Sequence, residues 1–223
     1  MAEKTPDILT KEQTEFLNLI AAEPHFTRQF YFTGGTALAA YYLRHRYSED
    51  IDIFSEEEFD ILPIRSFIGK AQRKLRLEKI DYRQFFGLHT FELYFDAKHI
   101  LKVDFNYYPF PRIQKGAAYG KLDIDSVLDI AVNKVHTIAM KPRARDFIDI
   151  YFIIRDYGYD FHDLLTKAKA KFDWHIDALQ LGSRLYDAAS VQDLPRMIRV
   201  VNEKEWRTFF TEESKKLGKQ IFE

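Results

Sequence analysis

The spacing of apolar residues changes repeatedly along the first part of the chain, and each spacing predicts a different element. Apolar residues recur every three or four positions over 11–22, which predicts a helix. A short apolar strand over 30–32 runs into a glycine pair, and helical spacing returns over 36–44. In 50–54 apolar and acidic residues alternate, which predicts a strand with two chemically different faces.

The next part of the chain combines one helix with several strands. Residues 64–77 have the apolar stripe of an amphipathic helix, and the opposite face is rich in lysine and arginine. Three runs with strand-like spacing follow at 80–86, 88–95 and 100–106, separated by short turn segments. Because the connections are so short, we predict an antiparallel meander.

Helical spacing dominates the C-terminal half. Five helices are predicted, over 124–140, 146–157, 161–172, 177–188 and 203–219. We therefore expect an α+β fold, with a small mixed sheet flanked by helices, followed by a helical half. The prolines at 109 and 111 mark the predicted boundary, which gives a core of residues 1–112 and a helical subdomain of residues 113–223 packed on it.

Composition restricts the location and the partners of the protein. The 33 basic and 34 acidic residues give a formal net charge of -1, so a site for a polyanion must be local. The absence of cysteine excludes disulfides and thiolate metal sites. No apolar run approaches the roughly 20 residues of a membrane span, and the N-terminal residues lack the layout of a signal peptide. We expect a soluble, cytoplasmic protein with no membrane partner.

Three aspartates are the first candidates for chemistry. Asp50 and Asp52 are two positions apart on a predicted strand, so their carboxylates share one face and repel each other. Asp104 lies among apolar residues of a later strand, where aspartate is disfavoured. A divalent cation would neutralise all three, and Mg²⁺ is typically held by carboxylates and substrate phosphates. We predict that these residues bind two Mg²⁺ ions and carry catalysis.

The glycine pair before the second helix predicts a phosphate site. Gly34 and Gly35 allow a close approach of the backbone, and with Thr36 they lie where a helix begins. Such a turn suits the triphosphate of a nucleoside triphosphate (NTP). Ser48 is placed to orient one of the metal ligands.

The residues in this order resemble a known family. Residues 34–38 (GGTAL) and 46–54 (RYSEDIDIF) look like the first motif of the AbiEii/AbiGii-type nucleotidyltransferase toxins, a branch of the DNA polymerase β-like minimal nucleotidyltransferase superfamily. The segments 129–134 and 141–150 are similar to the family's helical lysine and Arg-Asp-x-x-Asp-Leu signatures. With the tail at 193–210, the resemblance covers nearly the whole chain.

This resemblance implies a nucleotidyltransferase core at 1–112 and further nucleotide-binding residues beyond it. Lys134 and Asp146 would contact the nucleotide, and Arg145 lies near a helix start where cations can meet a triphosphate. The implied reaction is Mg²⁺-dependent transfer of a nucleoside monophosphate (NMP) from an NTP to an acceptor such as the 3′ end of tRNA. The implied biological role is the toxin of a toxin-antitoxin or abortive-infection system, with a cognate antitoxin.

Other functions fit the same residues. The acceptor could be a small molecule, as in antibiotic-modifying nucleotidyltransferases, or the chain could be a catalytically silent scaffold that binds nucleotide or protein. A metal-dependent nuclease would also use clustered carboxylates, although the glycine turn suits triphosphate capture better. The identity of the NTP and the oligomeric state leave no signature in the sequence.

Overall fold

The computed structural model describes residues 8–175 and 177–222. The helices in chain order are α1 (Lys11–Ala21), α2 (Pro24–Gln29), α3 (Gly34–Leu38), α4 (Ile61–Leu75), α5 (Val127–Met140), α6 (Ala144–Tyr157), α7 (Phe161–Lys171), α8 (Ala178–Tyr186) and α9 (Glu203–Phe222). A π-helical turn, Ala39–Leu43, continues α3, and a 3₁₀ turn, Asp187–Ala189, follows α8.

Seven strands form one mixed sheet in the described part of the chain. They are β1 (Tyr31–Thr33), β2 (Ile51–Ser55), β3 (Lys79–Phe85), β4 (Leu88–Tyr94), β5 (Ile100–Tyr107), β6 (Ala118–Tyr119) and β7 (Leu122–Ile124), in the order β3-β4-β5-β2-β1-β7-β6. The pairs β2/β5 and β1/β7 are parallel, and the other pairs are antiparallel. The predicted α+β fold and the β3-β4-β5 meander are therefore confirmed.

The short strands β6 and β7 are the main difference from the predicted elements. The sequence predicts a helix from residue 124, but Ile124 is the last residue of β7 and lies opposite Phe32 of β1. Leu122 and Ile124 are completely buried in this sheet. A run of this length has too few residues to separate strand spacing from helical spacing, so only long-range pairing decides.

Chain contacts divide the molecule into two compact units. The first takes the chain up to Tyr42 and then Ser48–Ser126, and the second takes Leu43–Tyr47 and the chain from Val127 onward. The division therefore falls after β7, later than the predicted boundary between residues 112 and 113. The reason is that β7 hydrogen-bonds to β1 and so belongs to the sheet.

Packing in the core of the first unit explains why the acidic side chain within β2 lies on the face of the sheet opposite that core. Ile51 and Ile53 are completely buried, as the alternation predicts, and Phe105 of the neighbouring strand packs against the rings of Phe26 and Phe30. Because side chains alternate along a strand, this packing directs the intervening Asp52 to the other face of the sheet. Among the helices of the described residues, none is both long enough and apolar enough to cross a membrane.

Candidate active site

The parallel pairing of β2 and β5 brings two of the predicted carboxylates together. Asp52 lies directly opposite Asp104 in the register, so the two side chains occupy adjacent positions on the same face. Asp50 lies one residue before β2 begins. Asp104 is almost fully buried, whereas Asp50 is half-buried. The sequence predicted these three residues as a set. The fold places Asp52 and Asp104 at neighbouring positions of two strands, with Asp50 just before the first of these strands.

Two side chains that the sequence analysis did not single out hold the Asp104 carboxylate. Thr90 on β4 donates a hydrogen bond from Oγ1 to Asp104 Oδ1 at 2.6 Å. Lys102 Nζ lies 2.6 Å from Asp104 Oδ2 and 3.7 Å from Asp50 Oδ2. Burial by itself would lower the pKa of Lys102, but its hydrogen bond to Asp104 and the charges of Asp104, Asp50 and Asp52 outweigh burial and raise that pKa. Lys102 is therefore a charged ammonium group inside the carboxylate cluster.

Gly34 is required here because the Asp52 carboxylate packs against its backbone. The backbone φ of Gly34 is +77°, a left-handed conformation that other residues adopt at a cost. A Cβ atom at this position would lie 2.1 Å from Asp52 Oδ2, far inside van der Waals contact. Gly34 and Gly35 are the first residues of α3, so the glycine pair lies at the junction of β1 and the helix. The sequence predicted that a phosphate would approach the backbone of the glycine pair closely. In the described structure the Asp52 carboxylate makes this close approach.

The segment that leads into β2 is fixed by hydrogen bonds from two helices. Thr36 of α3 donates from Oγ1 to the carbonyl oxygen of Asp50 and also lies 2.8 Å from Ser48 Oγ. Gln13 of α1 donates from Nε2 to the carbonyls of Ser48 and Glu49, each at 3.0 Å. The hydroxyl groups of Thr36 and Ser48 therefore hold the backbone of the segment that carries Asp50. Gln13 was not predicted, although its capping box with residue 10 is visible in the sequence.

The donor chemistry of the cluster suits a hard divalent cation. Three carboxylates offer only oxygen ligands, which Mg²⁺ prefers. An ammonium group already lies between Asp50 and Asp104, which shows that these two carboxylates accept a shared positive charge. Within residues 8–175 and 177–222, however, no three acidic or histidine side chains are arranged as a ready metal centre. The residues fit Mg²⁺, whereas their present arrangement is adapted to Lys102.

The predicted residues Lys134 and Asp146 belong to the second unit, where they form a buried ionic cluster. Lys134 Nζ lies 2.9 Å from Asp146 Oδ1 and 2.7 Å from Asp149 Oδ2. Arg46 donates to both oxygens of Asp149 at 2.7 Å from Nε and Nη2, and His45 Nε2 lies 2.6 Å from Asp149 Oδ1. Arg143 Nε lies 3.4 Å from Asp146 Oδ2, so Asp149 has three basic partners and Asp146 has two.

The charges of this cluster set the pKa values of its members. Burial would raise the pKa of Asp149, but the charges of Arg46 and Lys134, with their hydrogen bonds, hold it well below its usual range. Burial would lower the pKa of Lys134, and the Asp149 and Asp146 carboxylates reverse this effect and raise it. For His45 burial prevails, so its pKa is lowered despite the hydrogen bond to Asp149.

Helix α6 buries two of its acidic residues. Asp146 and Asp149 are both buried, whereas Arg145 is half-buried. Helical spacing identifies the apolar side of α6, yet it cannot show that Arg46 and Lys134 supply counter-charges on the other side. Arg46 is 103 residues away from Asp149 in the sequence, so no local signal connects them.

Comparison with known proteins agrees with these observations. Residues 16–219 match the family described as the nucleotidyl transferase AbiEii toxin of type IV toxin-antitoxin systems. The chain belongs to this family. It is therefore a nucleotidyltransferase, and the resemblance predicted from its motifs is confirmed.

Individual relatives support the fold over most of the chain. The uncharacterized protein aq_aa25 of Aquifex aeolicus (strain VF5) is 31% identical over 168 residues, which are 74% of this chain and 76% of that protein. The crystal structure of JHP933 from Helicobacter pylori covers 95% of this chain and 90% of its own, with 18% identity and a TM-score of 0.56. A second H. pylori structure, of 18% identity, covers 95% of this chain and 93% of its own with a TM-score of 0.60. The polymerase-β-like nucleotidyltransferase fold is thus confirmed.

Proposed function

We propose that the protein transfers NMP from an NTP to an RNA acceptor, with Mg²⁺, as a toxin that a cognate antitoxin counteracts. The observation that carries the proposal is the position of Asp52 beside Asp104 on parallel strands, with the backbone of Gly34 against the Asp52 carboxylate. Polymerase-type transfer needs carboxylates at such a position to hold the ions that neutralise a triphosphate.

In the proposed reaction the acceptor hydroxyl oxygen attacks the α-phosphorus, the bond to the β-phosphate breaks, and pyrophosphate leaves. Bound Mg²⁺ would stabilise the negative charge that develops on the phosphates. Asp50, Asp52 and Asp104 would hold the ions, with two ions expected, and Asp104 would accept the proton of the acceptor hydroxyl. The backbone at Gly34 and Gly35 approaches the triphosphate closely.

Two hydroxyl residues position the carboxylates for this reaction. Thr36 donates a hydrogen bond to the main-chain carbonyl of Asp50, and its hydroxyl oxygen lies 2.8 Å from Ser48 Oγ. Because each metal ligand must be held within a fraction of an ångström, such a network is part of the site even though it does not touch the ions. We extend the proposal to Lys134, Arg145 and Asp146 as contributors to nucleotide binding, on the strength of the family motif.

An RNA acceptor is supported by the charge distribution of helix α4. Its sequence contains no acidic residue, and the cations at 65, 70, 73, 74 and 76 on and just after it are exposed. None of the five forms an ion pair with a residue that the structure describes. In a chain of net charge -1, a helix of this kind provides the local positive field that an RNA backbone requires.

The test is incubation of the purified protein with each α-labelled NTP, Mg²⁺ and total RNA. We expect label to move onto RNA with at least one NTP, to be lost with EDTA, and to fall at least 100-fold in Asp52→Asn. Asp81→Asn, a matched substitution of an exposed strand aspartate, should transfer label normally. Label that appears only on small molecules would replace RNA by a small acceptor, and no transfer in any mixture would contradict the proposal.

Charge reversal on α4 distinguishes binding of the RNA acceptor from the transfer reaction itself. Lys70→Glu combined with Arg73→Glu should weaken transfer to RNA and reduce its dependence on salt, because fewer counter-ions are then released on binding. Binding of the NTP should not change.

The antitoxin is tested by growth of cells. Expression of the toxin alone should arrest growth, and co-expression of the product of the adjacent gene should restore growth.

A further inference from the structure

Lys102 occupies the position in the carboxylate cluster where a cation is expected. It lies on β5 two residues before Asp104, and side chains with this spacing share one face of a strand. Its ammonium group is 2.6 Å from Asp104 Oδ2 and 3.7 Å from Asp50 Oδ2, so one positive charge serves two carboxylates.

The Asp104 carboxylate has a partner on each oxygen in this arrangement. Thr90 donates to Oδ1 and Lys102 donates to Oδ2, both at 2.6 Å. A metal ion that takes Asp104 Oδ2 as a ligand would bring its positive charge next to the ammonium group, and because like charges repel each other, the ion and the ammonium group would compete for this carboxylate. This explains why the cluster has carboxylates suited to a metal and yet no ready metal centre among the described residues.

Lys102 is also placed so that it can leave. Its side chain is 38% exposed, and a lysine stem is flexible, so the ammonium group can swing into water without opening the core. The other lysines that are paired deep in the protein differ in this respect. Lys171, which pairs with Asp129, is 3% exposed, and Lys134 is 10% exposed.

We propose that Lys102 is a tethered counter-ion that holds Asp104 and Asp50 in the metal-free protein and competes with the divalent ion for them. The proposal rests on the function proposed above, since it assumes a metal at these carboxylates. Lys102 is a positioning residue here: it acts through Asp104 and keeps three like charges compatible until the metal enters. Metal entry and the departure of Lys102 from Asp104 are then one coupled event.

The test is direct titration of the protein with Mn²⁺ alone, by calorimetry or by the electron paramagnetic resonance signal of free Mn²⁺. Lys102→Met removes the competing charge and should bind Mn²⁺ about tenfold more tightly, equal to about 1.4 kcal/mol. Lys102→Arg keeps the charge and should stay within about threefold of the wild type. Lys79→Met is the matched control, because Lys79 also lies two residues before its partner on a strand, with Nζ 2.6 Å from Asp81 Oδ2.

The variants also show which statement fails if the result differs. If Mn²⁺ binds the wild type, is lost in Asp52→Asn, and binds Lys102→Met no more tightly, the competition is refuted while the metal site stands. If neither the wild type nor Lys102→Met binds Mn²⁺, the competition is refuted, and the metal-dependent function is then decided by the transfer assay with NTP and EDTA, in which the substrate phosphates can also bind the ion. Should Lys102→Met fail to fold, Lys102→Gln retains a polar head group and is expected to give the same tighter binding.

Discussion

The buried cluster around Asp149 provides the sharpest prediction about stability. Asp149→Asn keeps the shape of the side chain and removes only its negative charge, so no cavity is created. The positive charges of Arg46 and Lys134, whose side chains are 2% and 10% exposed, would then lose the carboxylate that they share. Neither can return to water without unfolding.

The expected magnitude follows from the geometry of Asp149. It accepts from Arg46 and Lys134 and contacts His45, all within 2.7 Å, and its side chain is completely buried. Removing one partner of a buried ion pair destabilises proteins by about 3–5 kcal/mol, because an uncompensated charge stays in the interior. A domain is stable by only about 5–15 kcal/mol in total, so the variant should be marginally folded.

Tryptophan fluorescence during urea unfolding measures the loss of stability in the second unit, which contains Asp149. Both tryptophans of the chain, Trp174 and Trp206, lie in the second unit, and Trp206 is fully buried. The control is Asp156→Asn on the same helix, since Asp156 pairs with two arginines near the surface and should lose under about 1 kcal/mol. A loss for Asp149→Asn no larger than that of the control would refute the reasoning, as would suppression of the loss by 0.5 M salt, which screens exposed pairs only.

Three further predictions concern separate positions. Gly34→Ala should fold but lose at least 100-fold in transfer rate, because the new Cβ atom would lie 2.1 Å from Asp52 Oδ2; a rate near that of the wild type would contradict this. The pKa of His45 is lowered by burial, so as the pH drops the unfolded chain binds a proton that the folded protein does not. The free energy of unfolding should therefore fall as the pH drops below about 6.5. His45→Gln should flatten this dependence in urea titrations at pH 7.5 and 5.5. Arg76 ends α4 in the left-handed conformation, with φ of 57°. Because glycine adopts this conformation without cost, Arg76→Gly should stabilise the protein by about 0.5–1 kcal/mol. Thermal unfolding followed by circular dichroism measures this change, and a lower melting temperature would count against it.

Local patterns in the sequence were sufficient for most of the elements and for the carboxylate motif. The alternation in 50–54 fixed which face of β2 is buried, and the glycine pair marked the junction of β1 and α3. Strand β7 was not predictable because it has only three residues, and its pairing partner lies about 90 residues earlier in the chain.

The electrostatics of the two clusters could be predicted only in part. Lys102 had a local signal in the sequence, since a lysine two positions before a strand aspartate lies on the same face of the strand. The contact between Arg46 and Asp149 had none, because it depends on tertiary structure. Burial of paired charges is decided by which chain segments meet, and a periodic pattern in one segment does not contain that information.

The proposed function requires Asp52 and Asp104 to be metal ligands for the transfer of NMP from an NTP. The most direct measurement is a crystal structure with a non-hydrolysable NTP and Mn²⁺, with the ion located by its anomalous scattering. We expect an anomalous peak within coordination distance of both carboxylates and of the nucleotide phosphates, with the Lys102 ammonium group displaced from Asp104. A bound nucleotide with no peak at these two carboxylates would contradict the claim.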